Sequence, residues 1–357
     1  MRNKNAQKGD FVMIKKRIKH FFLAFPVVCI FCFSFTSLYA SEDVIKWDLS
    51  LWGGKRAFTT PLEQWAADMD KVTSGRWKIT IHYGGVLAPP KENLDGIQAG
   101  MFAACAVCCG YTPQKVPLQT VHELPFISPS NVEKMGEMVA LLWRHPAVKK
   151  ELLKWNAVPL LPSGLTQYQL MGNVPIRTVE DLKGVRIRAG GLIARVLEEF
   201  GAVPTMIPAP EVYEALNRGT IDLVAFPWPQ SYGSYRLFEV SKYAILPVSL
   251  GSLNCMYLAN KDAWDALPEE FKKYHLEWSK KAPELWEKQY EAEGQKWISL
   301  FKEKLEFIEF PVSERRKLVM KAKEVYKDWA ADLDKRGLPG DAILNYYLNN
   351  RKKISGE

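Results

Sequence analysis

The residues best suited to binding chemistry stand at the end of one short apolar stretch. Residues 181–191 read Asp-Leu-Lys-Gly-Val-Arg-Ile-Arg-Ala-Gly-Gly. Val185 and Ile187 supply the apolar face of a strand, Arg188 stands where that strand finishes, and Gly190 and Gly191 let the backbone turn into a helix. In open α/β sheets ligands bind at this edge. A guanidinium there offers a planar fork that meets a carboxylate with two parallel hydrogen bonds, which a lysine cannot reproduce. Arg188 is therefore the leading ligand-binding candidate. The plainer reading is an arginine solvated at a strand end.

The thiols offer weaker chemistry. Cys105, Cys108 and Cys109 crowd one apolar run, Cys255 stands far along the chain, and Cys29 and Cys32 fall in the first 40 residues. The spacing of the three resembles half a zinc site. No second Cys/His cluster follows, so the run reads as a buried strand with small apolar filling, and no metal is expected. A thiol enzyme pairing Cys108 with His122 is conceivable, but nothing in the sequence sets a base beside the thiol. There is neither a Gly-x-Ser-x-Gly elbow nor a His-Glu-x-x-His pair. No catalytic residue and no cofactor is expected.

Residues 1–40 carry a basic segment, an apolar run over 21–35, then Ser37-Leu38-Tyr39-Ala40 ahead of Ser41-Glu42-Asp43. This is the pattern of a secretory signal peptide, with Ala40 at the last position before cleavage and Met13 as a second candidate start. The apolar run is shorter than the ~20 residues a spanning helix needs. The chain holds 48 Lys+Arg and 40 Asp+Glu; residues 1–40 hold seven and one of these, leaving 41 against 39. The basic balance thus belongs to the leader, and no nucleic-acid partner is implied. The remainder is long enough for two domains in an exported, periplasmic protein.

Several elements must position these groups. Ile45, Trp47, Leu49 and Leu51 alternate with polar residues as a strand, Thr60-Pro61-Leu62-Glu63 opens a helix with a threonine cap, and Trp77, Ile79, Ile81 and Tyr83 alternate again. That is a β-α-β unit and predicts a parallel pair. A helix over 91–99 precedes a strand over 101–109 that lacks alternation, as expected when both faces are covered. Helices from Val132 and Ala147, a strand over 158–161, and a second α/β unit around Arg188 follow. Apolar strands over 243–250 and 254–258 suit crossings between domains. Beyond Pro268, aromatic residues from Phe271 to Leu300 keep helical spacing over a run that one long helix could span as a strut. A helix over 313–335 follows, and the tail from Asn349 reads as frayed.

Taken in order, Leu124-Pro125-Phe126, the Glu180 to Arg188 segment, Gly201-Ala202-Val203-Pro204, Glu211-Val212-Tyr213-Glu214-Ala215-Leu216 and Gly219-Thr220-Ile221-Asp222 resemble the extracytoplasmic solute receptors of tripartite ATP-independent periplasmic (TRAP) transporters, the DctP-type family. The resemblance implies an α/β, two-domain periplasmic binding protein fold with hinge strands and a long domain-spanning helix. It implies that Arg188 pairs with a ligand carboxylate, and that the membrane subunits of a TRAP transporter are partners. The expected division is a leader over 1–40, a first domain of 41–165 plus 254–293, and a second of 166–253 plus 294–350.

The departures from the family pattern inform the ligand. Asp222 is followed by Leu-Val-Ala-Phe-Pro-Trp where relatives often have polar contacts; Tyr168 and Gln169 stand where many place a second arginine; Cys108 and Tyr111 lie near the end of the third strand. Phe226 and Trp228 then form an apolar wall, worth roughly 25 cal/mol per Å² of area removed from water. The expected ligand is a small organic acid, favoured as a monocarboxylate with an apolar or aromatic body. Trp52 and Arg56 are lip candidates from the first strand-helix loop. A receptor for an ABC-type permease or a sensor is the alternative, and a secreted thiol enzyme a more distant one.

Overall fold

The computed structural model describes residues 43–356; the expected leader, residues 1–40, lies outside the described residues. β1, Ile45–Ser50, buries Trp47 and Leu49 and exposes Lys46 and Asp48. Its alternation is that of a strand covered on one face. β2, Trp77–His82, pairs with it in parallel from Ile45 opposite Trp77 to Ser50 opposite His82. The helix Thr60–Val72 connects them and buries Leu62, Trp65, Ala66 and Met69, so the β-α-β unit forms as expected. Its cap is Thr59 rather than Thr60. The Thr59 hydroxyl oxygen accepts from the Arg56 amide at 3.1 Å and lies 2.9 Å from a Glu63 carboxylate oxygen, which pins the loop carrying Trp52 and Arg56.

β3, Ala104–Cys108, is buried at every residue. It lies between β1 and the later strand Cys255–Asn260, with β4, Ala157–Leu161, beyond. The second half of the fold begins with β5, Tyr168–Gly172, followed by β6, Arg186–Arg188, β7, Val203–Thr205, β8, Leu223–Pro227, and β9, Tyr243–Leu246. β10, Cys255–Asn260, returns to the first sheet and β11, Glu306–Glu309, closes the second. The sheet orders are β2-β1-β3-β10-β4 and β11-β9-β5-β8-β6-β7. β10 runs antiparallel to both neighbours, and β5 does so in the other sheet. The two crossings lie side by side: the Tyr168 amide donates to Gly251 O at 2.8 Å, and Leu250 N to Tyr168 O at 3.0 Å.

The aromatic run after Pro268 forms two helices, Glu269–Ser279 and Ala282–Lys304, rather than one. Pro283 stands in the first turn of the second, a place where its missing N–H costs nothing and where it cannot continue a helix from before. The longer helix is the expected strut. Trp286 Nε1 donates to Phe58 O beside the first sheet at 3.0 Å, while Tyr290 O accepts from Gln230 beside the second at 2.8 Å. A second helix, Val312–Lys335, also bridges the halves. Near its start a Glu314 oxygen accepts from Val179 N, and near its end Trp329 Nε1 donates to Thr120. The tail departs from expectation: Gly340–Ser355 is helical and buries Ile343 and Tyr347. Tyr347 OH lies 3.2 Å from His122 Nδ1 in the first half, so the C-terminal helix packs against that half.

Candidate functional site

Arg188 ends β6 and is 1% exposed. Its Nε donates to Ile207 O at 2.9 Å and its Nη1 to Ala225 O at 3.3 Å. The guanidinium carbon lies 4.2 Å from the centre of the Phe226 ring. Backbone carbonyls and an aromatic face thus hold the fork on one side, and among the described residues no carboxylate of this chain pairs with it. Burying a cation without a counter-charge is costly, and the cost is recovered when an anion arrives. The turn beyond it needs its glycines. Gly191 has φ +58°, and a Cβ there would stand 2.2 Å from Glu123 Oε2, while one at Gly190 would meet the Met206 sulfur at 2.4 Å.

Arg188 faces a cavity of about 520 Å³, counting its open mouth, between the two sheets. From the first half come Trp52, Arg56, Cys108 and Tyr111, and from the second Tyr168 and Phe226. Trp52 meets Tyr111 edge to face at 5.7 Å, and Phe226 lies 5.9 Å from Tyr235. The walls are therefore largely aromatic. Burial pushes the Tyr111 and Tyr168 hydroxyls well up, against the opposing pull of Arg188, so both are neutral donors in the cavity. Tyr111 also joins the halves, its hydroxyl accepting from Ala209 N at 2.9 Å. Arg56 does the same through its guanidinium, which donates to Trp52 O and Gly54 O and stacks over the rings of Phe58 at 5.1 Å and Tyr235 at 5.7 Å.

Two of the expected residues do not line the cavity. Gln169 follows Tyr168 on a strand and so faces the opposite side; its Oε1 accepts from Val248 N at 2.7 Å and Ser249 N at 2.9 Å. Trp228 lies past the end of β8 at Pro227 and packs on Phe301 at 5.3 Å and Phe307 at 6.0 Å. It supports the wall from behind instead of forming it. The conceivable Cys108 and His122 pair does not form either. His122 is buried against Tyr347, and burial lowers it to about 3.

Other lining residues escaped the sequence. Ser231 and Ser234 come from the short helix after β8 and Tyr235 from its C-terminal cap, Tyr290 from the long strut, and Cys255 from the start of β10. The Tyr235 hydroxyl is buried with no hydrogen-bond partner among the described residues. The cluster Gln230-Ser231-Tyr232-Gly233-Ser234-Tyr235, placed directly after a strand, is the signal that marks this edge. Among the described residues no group of three or more His, Cys, Asp and Glu side chains could hold a metal ion, and no helix is long and apolar enough to cross a membrane.

Two lobes closing on a cleft with one buried cation define a solute-binding protein. The profile of the DctP family, bacterial extracellular solute-binding protein family 7, matches residues 52–332, and the chain belongs to that family. A monocarboxylate 2-oxoacid-binding periplasmic protein of Nostoc sp. is 27% identical over 245 residues, which span 66% of this chain and 65% of that relative. A C4-dicarboxylate-binding periplasmic protein of Rhodobacter capsulatus is 27% identical over 56% of this chain and 60% of its own length. Among solved structures, a marine metagenome TRAP solute-binding protein specific for aromatic acid ligands, in complex with metahydroxyphenylacetate, superposes with a TM-score of 0.77 at 20% identity, covering 87% of this chain and 99% of that one. A TRAP protein of Bordetella bronchiseptica with bound mandelate gives 0.76 at 22% identity over 87% and 99%. These structural likenesses establish the two-lobed fold.

Proposed function

We propose that this chain is the periplasmic receptor of a TRAP transporter and that its cleft takes a monocarboxylate with an aromatic or otherwise apolar body. One observation carries the reading: Arg188 is buried against Phe226, and among the described residues no carboxylate pairs with it. A ligand carboxylate supplies the missing charge, and the aromatic walls take its body out of water. A second cation, Arg56, also reaches the cavity, held like Arg188 by two backbone carbonyls and aromatic rings. It acts as a lip that couples the halves; the largely aromatic walls are what favour an apolar monocarboxylate over a second carboxylate. Relatives that bind aromatic acids and mandelate agree with this choice, whereas the C4-dicarboxylate-binding relative marks the competing one.

The role is capture and hand-over, with no catalytic step assigned to the site. Closure about the paired crossings, bracing by both bridging helices and presentation of the closed form to the membrane subunits constitute the mechanism. The secretory signal peptide expected over residues 1–40 supports a periplasmic location. The test is calorimetric titration with benzoate, mandelate, succinate and galacturonate, on wild type and Arg188→Ala. Benzoate or mandelate binds the wild type, and the variant loses about 2–5 kcal/mol, since truncation removes one partner of a buried charge pair. Binding of succinate alone overturns the monocarboxylate reading, and unchanged affinity in the variant overturns the role of Arg188.

A further inference from the structure

Two thiols share the cavity wall, and their register sets them face to face. Cys108 ends β3 and Cys255 begins β10, and the two are direct partners in the antiparallel ladder. The next pair along, Cys109 and Asn254, is the hydrogen-bonded kind, with Cys109 N donating to Asn254 O at 2.8 Å. Hydrogen-bonded and non-hydrogen-bonded pairs alternate, so Cys108 and Cys255 occupy a non-hydrogen-bonded position, where Cα atoms stand about 4.5 Å apart. That lies within the range spanned by disulfides, about 4.4–6.8 Å. The side chains point the same way: Cys108 and Cys255 belong to the core on the cavity side, whereas Cys105 and Cys109 belong to the core on the other face of the sheet.

We propose that Cys108 and Cys255 are a disulfide-forming pair in the floor of the ligand cleft, joined when the chain folds in an oxidising compartment. In that step the two Sγ–H bonds break, one Sγ–Sγ bond forms, and two electrons with two protons pass to an external disulfide, such as oxidised glutathione, whose S–S bond breaks to give two thiols. Timing follows from burial, which pushes the Cys255 thiol well up, with hydrogen bonding to Cys108 as the next contribution. Thiolate, the attacking species, is scarce once the cavity has closed. The bond therefore forms while the strands are still reaching water, and the folded protein keeps the redox state in which it folded. The reduced form leaves one S–H of the hydrogen-bonded thiol pair as a donor to a ligand, and the oxidised form none. This inference is independent of the ligand's identity.

The test refolds the denatured, reduced chain in oxidised or reduced glutathione, alkylates free thiols and maps the peptides without reduction. Oxidative refolding is expected to yield a covalent link between the Cys255 peptide and the peptide carrying residues 105–109, retained in Cys105→Ala and Cys109→Ala and lost in Cys108→Ala. The wild type should then unfold at a higher temperature without reductant than with it, a difference that Cys255→Ser removes. Alkylation of all the cysteines after oxidative refolding, or a link to Cys255 that survives Cys108→Ala, overturns the assignment.

Discussion

At the scale of single residues, the cleft works through groups whose hydrogen bonds are incomplete until something arrives. Arg188 is one, and Tyr111 is a second of a different kind. Its hydroxyl accepts the Ala209 amide from across the cleft, so the contact exists only when the halves are together. Replacing Tyr111 by Phe leaves that amide buried and unpaired on closure, at a cost of about 1–3 kcal/mol. We expect Tyr111→Phe to weaken aromatic acid binding by about 5- to 150-fold, measured by calorimetry. An affinity equal to wild type would show that this bond does not contribute to closure. The legibility of such residues varied with the rule behind them. Arg188 was readable because a strand end and paired glycines locate it without any knowledge of the partner strands. Gln169 was misplaced beside Tyr168 although strand alternation forbids both from facing one side, and Trp228 because that alternation stops with β8. Tyr235, Tyr290 and Cys255 reach the cavity from distant segments, and local sequence does not encode which segments meet.

At the scale of elements, the interface between the short helix Gln230–Ser234 and the long helix Ala282–Lys304 decides how firmly Tyr235 is held. Two glycines face this contact and predict opposite signs. A Cβ at Gly233 would stand 2.1 Å from the Trp297 ring, whereas one at Gly294 would find its nearest neighbour, Gln230 Nε2, at 3.6 Å. Overpacking of this kind costs about 1–3 kcal/mol, while replacing a helical glycine without a clash gains up to about 1 kcal/mol. Urea unfolding should place Gly233→Ala below wild type and Gly294→Ala at or above it. Equal midpoints for the two variants would mean the helices separate freely here. The elements themselves were largely readable, because β1 to β2 and the bridging helix rest on local periodicity and capping. The break at Pro283 follows from the missing N–H. The bracing by Val312–Lys335 and the docking of the C-terminal helix were not readable, since an amphipathic helix announces that it has an apolar face but not what covers it.

At the scale of the whole molecule, buried titratable groups set how stability responds to pH. Burial raises Glu123 and Glu151 to about 8, above the ordinary 4.5, even though backbone amides at Asn254 and Leu118 oppose the shift by donating to them. Burial lowers His122 to about 3 and His275 to about 4, below the ordinary 6.5. His275 is held neutral by geometry as well: its Nδ1 accepts from Trp65 Nε1, leaving Nε2–H for Leu160 O. Between pH 6.5 and 8 the difference between states lies, among the described residues, chiefly in the two carboxyl groups. There the folded chain holds protons the unfolded chain has released, so stability falls as pH rises, by up to about 1.4 kcal/mol per pH unit per group. Between 4.5 and 6.5 the unfolded chain gains protons on the histidines while the folded chain keeps those on the carboxyls, and the contributions oppose. Below 4.5 the unfolded chain still holds more protons, on the histidines and on carboxylates such as Asp181 and Asp222 that hydrogen bonds hold low in the fold, so stability falls as pH falls. The expected profile is a plateau over 4.5–6.5 with a decline on either side. Denaturant unfolding of Glu123→Gln should show about half the wild-type decline on the alkaline side, since one of two groups has lost its charge change. An undiminished decline in this variant would place the titration elsewhere, and a wild-type stability that rises from pH 6.5 to 8 would mean that neither carboxyl is held protonated by the fold.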